Sequence, residues 1–140
     1  MTDTVSHRSV SLSAARRVID AACTFAEGMG RAMCVTVVDV GGEPVMTVRM
    51  DGAPRLSASL ATDKAWTVTS FGGLPTDLWW GVIKDEPELV HGITKTPRLI
   101  VFGGGVPLRI GGELVGAIGV SGGSADDDRR VAEAGAAALG

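Results

Sequence analysis

The chain has no tyrosine and only three tryptophans and three phenylalanines in 140 residues, so the adjacent pair Trp79-Trp80 stands out. Cysteine and histidine are equally scarce, at two each. Cys23 falls in a predicted helix and Cys34 in a predicted strand, with no CxxC spacing and no clustered histidines. Buried thiols are therefore expected, with no disulfide and no metal site. Apolar runs never approach the roughly 20 residues that span a bilayer, and the opening MTDTVSHRSV has no apolar core of a secretory signal. The expectation is a cytoplasmic protein without a membrane partner. Charge of one sign is also lacking: the net value is −3 and the basic residues are scattered, which argues against a nucleic-acid partner. Neither GxxxxGK[ST] nor GxGxxG after a first strand is present, which removes the common nucleotide loops.

Glycine is abundant, with 20 residues, and hydrophobic residues make up 45% of the chain, enough for one domain with a core of useful size. Residues 1–10 read as a flexible N-terminal tail and residues 11–140 as the single domain. Leu12, Ala15, Ile19, Ala22, Ala26 and Met29 recur at spacings of three and four, one stripe of an amphipathic helix capped by Ser11 and stopped at Gly30. Ala32 to Asp39 and Pro44 to Met50 read as strands joined by the turn Val40-Gly41-Gly42-Glu43. Pro54 opens a second helix whose face carries Leu60, Lys64, Val68 and Phe71. A short helix near Thr76 to Ile83 precedes a loop. Strands are predicted at Arg98 to Phe102, Val106 to Ile110 and Glu113 to Val120, with a second Gly-Gly turn at Gly111-Gly112. Ser124 caps the last helix, and Asp126, Asp127 and Asp128 in its first turn offset exposed N–H groups. The fold class is α+β: a single-domain antiparallel five-stranded sheet of two meanders covered by helices, in the order αββα(α)βββα.

Five motifs in sequence, VVDVGGEPV, RMDGA, ATDKA, FGGGVPLR and GAIGVSGG, resemble those of the GlcG/HbpS-like family, relatives of the C-terminal domain of PduO. The resemblance runs from about Ser11 to the end. It implies a compact α+β domain, a homo-oligomer, and in several members the binding of haem or a related tetrapyrrole through an axial histidine. The first helix of this chain has no histidine. Only His7, in the tail, and His91, before the third predicted strand, are available, and Met29 or Cys23 are chemically able to replace an imidazole on iron.

Lys64, in the DKA motif and on an apolar helix face, either reaches a ligand as an acid–base or anion-binding group, or lies along that face with its charge in water or on a carboxylate. Arg49 and Asp51 either clamp each other or present a guanidinium fork to a ligand carboxylate, and Arg109 has the same two readings. Gly103, Gly104 and Gly105 either admit a ligand to the backbone or bend the sheet. His91 is a candidate general acid or base. Of the two neighbouring tryptophans one faces the core and the other an interface or a pocket, with Trp79 taken as the candidate ring for stacking on a planar ligand. Three functions remain open: a binding protein for haem or another small ligand; a cofactor-independent enzyme acting on a small organic acid or carbonyl compound, with Lys64 or His91 moving protons; and an oligomeric accessory protein.

Overall fold

A computed structural model of the chain describes residues 2–139. Helix α1 (Leu12–Gly28) begins where the Ser11 hydroxyl accepts from Ala14 N at 3.1 Å. Its predicted stripe is buried at Ala15, Ile19, Ala22 and Ala26, while Leu12 stays 46% exposed and Val18 fills the face instead. Strands β1 (Cys34–Asp39) and β2 (Pro44–Arg49) form the first hairpin. Helix α2 (Leu56–Ser70) follows, then a 3₁₀ turn (Thr76–Leu78) running into the short helix α3 (Trp79–Ile83). The expected loop beyond it holds another short helix, α4 (Pro87–Gly92), with Pro87 in its first turn, and a second 3₁₀ turn (Ile93–Lys95). Strands β3 (Gly105–Ile110) and β4 (Glu113–Ser121) make the second hairpin, and α5 (Ala125–Ala136) closes the chain.

The sheet has four strands in the order β2-β1-β4-β3, all antiparallel, so the two hairpins meet at the β1–β4 ladder. The strand expected over Arg98 to Phe102 does not form, and the observed order is αββα(αα)ββα. Arg98 sits at φ 69° and Gly104 at φ 130°, which breaks an extended run at both ends. In place of a neighbouring strand, the segment uses Thr67 on α2: its hydroxyl accepts from Ile100 N at 3.0 Å and lies 3.0 Å from Arg98 O. The apolar residues of this stretch suit a strand, and backbone geometry overrides them.

Two layers cover the sheet. On one face α1 and α5 pack Val18, Ile19, Ala22, Val131 and Ala132 against Val35, Val37, Ile118 and Val120. Each fully buried Val or Ile contributes about 1.5–3 kcal/mol. The predicted tail joins this layer at its end, since Val10 is buried and donates to Val115 O at 2.9 Å. On the other face α2 sets Ala61, Ala65 and Val68 against Cys34, Val38 and Ala117. Small residues let this helix lie close to the sheet. Gly119 marks the tightest approach, because a Cβ there would fall on Ala61 O and lie 2.7 Å from Ala65 N. The Leu60, Lys64, Val68, Phe71 face points inward at Lys64 and Val68, but Phe71, which ends the helix, is 55% exposed.

Gly119→Ala should therefore lift α2 off β4 and cost about 3 kcal/mol of unfolding free energy. Gly28→Ala, where an added Cβ meets nothing within 4 Å, should be neutral or gain up to about 1 kcal/mol. Urea unfolding of the two variants checks the contrast.

Candidate functional site

Lys64 is enclosed, with 0% exposure, and its ammonium points across the sheet toward α5. Nζ donates to Asp128 Oδ2 at 2.8 Å and to Val120 O at 2.9 Å, and stands 5.1 Å from the centre of the Phe102 ring. Asp128, 3% exposed, accepts from Gly123 N at 2.9 Å with its other oxygen. Burial works against both charges, lowering the pKa of Lys64 and raising that of Asp128, while the hydrogen bond between them opposes each shift. The Lys64 charge is paired with a carboxylate and has no exposure.

The three aspartates expected to share one task at the start of α5 have three. Asp126 binds Arg129 at 2.7 Å. Asp127 completes a capping box with Ser124 and holds Arg31 at 3.2 Å. Asp128 turns inward to Lys64. The run Gly103-Gly104-Gly105 passes directly over that pair. A Cβ at Gly104 would lie 2.7 Å from Lys64 Nζ, one at Gly103 would lie 2.8 Å from Ala125 O, and one at Gly105 would lie 2.6 Å from Lys64 O. The backbone is closely packed at all three glycines, and Gly103 also borders a concavity.

A concavity lies elsewhere, a cavity of about 640 Å³ between α1 and β2. Its walls follow from register. Val35 pairs with Val48 and Val37 with Met46, so Met46 and Val48 share the α1 side of the sheet, where Ile19 and Cys23 stand one helical turn apart. Arg49 and Asp51 both line the cavity, but no ion pair joins them among the described residues, and the mutual clamp is not formed. Arg31, Asp20 and Glu27 complete the charged rim. Burial, then Asp20 and Glu27, push the Cys23 thiol above 9.0. Met46 and the acidic rim did not emerge from the sequence, although the alternation Met46, Val48 beside an inward Val35 and Val37 carries the signal.

The other candidates disperse. Arg109 lies on β3, where its guanidinium donates to Gly112 O at 3.2 Å and Gly72 O at 3.4 Å, tying the hairpin to the end of α2. His91 is exposed on α4 and lines neither concavity described. Trp79, chosen as the stacking ring, is the core member of its pair at 3% exposure and packs on Phe71 with ring centres 4.9 Å apart. Trp80 is the open one, because adjacent helical residues point about 100° apart. Trp79 Nε1 is buried without a hydrogen-bond partner, which costs about 1–3 kcal/mol. Lys64, Arg49, Arg109 and His91 thus form no common site.

Lys64→Met should leave the Asp128 carboxylate buried against Val120 O and cost about 3–5 kcal/mol. The double variant Lys64→Met, Asp128→Leu should be more stable than Lys64→Met alone, as read by urea midpoints. The thiols give a separate check. Only the thiolate reacts, so Cys23 alkylation by iodoacetamide should be slower than that of a free thiol at pH 8 and accelerate as pH rises past 9.0. Cys34, with 0% exposure, should react only after unfolding, giving one modified thiol in the native protein and two in denaturant.

The chain is 30% identical over 125 residues to an uncharacterized 15.0 kDa protein from the dhaT-dhaS intergenic region of Citrobacter freundii, covering 89% of this chain and 88% of that protein. Among solved structures, a double mutant of HbpS from Streptomyces reticuli superposes with a TM-score of 0.88 at 34% identity, over 99% of this chain and 92% of the other. A PduOC:heme complex superposes with a TM-score of 0.83 at 29% identity, over 94% and 95%. No described helix is long and apolar enough to cross a membrane. The family model described as haem degrading protein HbpS-like matches residues 10–137, and the chain belongs to that family.

Proposed function

We propose that this chain is a small-ligand-binding protein that takes haem or a related tetrapyrrole in the cavity between α1 and β2. The observation that carries the reading is the cavity itself. Its volume of about 640 Å³ lies inside the range of roughly 300–1,000 Å³ usual for ligand sites, and its lining sets Ile19, Val48 and the sulfur-bearing Cys23, Met46 and Met50 beside a charged rim. The haem complex of PduOC, a relative with the same fold, supports the ligand class.

The residues present fit such a group in an unusual way. No histidine lines the cavity, and the iron-ligating atoms on its wall are the Cys23 thiol and the Met46 thioether, both of types known to bind haem iron. Met50 Sδ already accepts from Met33 N at 3.4 Å. Ile19, Met46 and Val48 offer the apolar face a macrocycle needs. Arg49 makes no ion pair among the described residues, but strand alternation sets it on the α2 face with its ladder partner Cys34, so the rim cation on the α1 side is Arg31, held by Asp127 at 3.2 Å. Asp20, Glu27 and Asp51 share the rim, so carboxylates of the ligand belong at the Arg31 end. Bound there, the group supplies a redox-active iron; the chain supplies the sulfur donor, the apolar wall and the guanidinium. The acid–base alternative lacks comparable support, because the Lys64 ammonium is sealed behind Phe102 and Gly104 and His91 lines neither concavity described.

Titration of the purified protein with haemin, followed by visible absorbance, tests this. A saturating, shifted Soret band at one equivalent is expected. Arg31→Leu should weaken binding about tenfold, and His91→Ala should leave it unchanged. A Soret maximum that moves in Cys23→Ser assigns the axial donor to Cys23, and one that moves in Met46→Leu assigns it to Met46. No saturable band for the unmodified protein overturns the proposal.

A further inference from the structure

A second concavity, of about 270 Å³, opens where the first 3₁₀ turn, the 101–103 segment and the first turn of α5 come together, and it shares no lining residue with the larger cavity. Two of the six aromatic residues stand on its wall and remain open to solvent, Trp80 at 57% and Phe102 at 47%. Asp77 lines the same concavity, and its carboxylate makes no ion pair or side-chain hydrogen bond among the described residues. The backbone at Gly103 comes so near that a Cβ there would lie 3.4 Å from Asp77 Cβ. On the far side Asp126 and Arg129 complete the rim. Arg129 is committed to Asp126 at 2.7 Å and to both oxygens of Glu133 at 3.0 Å, so its charge is offset and the rim is left acidic. Behind Phe102, the Lys64 ammonium is matched by Asp128.

We propose that this pocket binds a small organic cation, an ammonium carrying apolar substituents. Each element selects for that class. Aromatic rings present a negative face that attracts a cation while their area shelters methyl groups. Asp77 adds a direct charge partner. An anion meets Asp77 and Asp126 with like charge, and a neutral apolar molecule leaves the Asp77 carboxylate partly desolvated without a partner. Arg129, held from both sides, fixes the edge of the pocket without supplying a free positive charge.

The test is a titration of the protein with choline beside its uncharged isostere, in which carbon replaces the ammonium nitrogen, read by tryptophan fluorescence and by calorimetry. Choline should saturate and bind at least about tenfold more tightly than the isostere. Asp77→Asn and Trp80→Ala, both at exposed positions, should each weaken choline binding by about fivefold or more without lowering the melting temperature. Cys23→Ser, in the other cavity, should leave it unchanged. Equal affinity for the two compounds, failure of choline to saturate, insensitivity to both pocket variants, or sensitivity to Cys23→Ser overturns the proposal.

Discussion

The Lys64–Asp128 pair is the constraint around which the rest of the structure is arranged. A charged amine with no exposure is unfavourable in a protein interior unless its protons are all used, and here they meet a carboxylate, a strand carbonyl and a ring face. Satisfying it requires α2 to lie flush on β4, α5 to start where its third aspartate turns inward, and the 103–105 backbone to run without side chains past the ammonium. Each requirement is visible in sequence as a motif: ATDKA, SGGSADDD and FGGG. These motifs belong to one buried joint that links three parts of the fold.

That joint explains why the residues that first draw attention do not form the candidate site. A lysine on an apolar helix face has the composition of a reactive amine, but its partner is sixty-four positions along the chain, beyond the reach of periodicity. Helix α1, the hairpin turns and the capped α5 are legible because their signals are local: a stripe of spacing three and four, paired glycines, a serine three residues before an acid. The false strand at Arg98 to Phe102 fails for the opposite reason. Its Leu-Ile-Val-Phe composition is local, while the positive φ of Arg98 and the capture of its backbone by Thr67 come from tertiary packing.

The candidate cavity was half legible. Cys23, Arg49 and Asp51 are present in it, yet they come from a helix, a strand and a turn that only the sheet register brings together. Met46 was hidden among strand residues, since a methionine at an alternate position reads first as core. The tryptophan pair shows the limit of reasoning from an element alone: helical geometry requires that the two rings diverge, but which one is covered depends on Phe71, at the end of a different helix.

The sheet order has a consequence for how the chain reaches this state. Its two hairpins are local, each closed by a Gly-Gly turn, and such units form in about 1–10 μs. The central ladder joins residue 34 to residue 121, so it forms only after the whole of α2, α3 and α4 has been gathered into a closed loop. Folding speed is then governed by this one long-range encounter, as expected for a chain whose essential contacts are far apart in sequence. Until the ladder closes, the inner edges of β1 and β4 are unpaired and present hydrogen-bonding groups to any other strand in solution. The hazardous interval for this protein is therefore during synthesis, before the last hairpin has emerged to occupy the place beside β1.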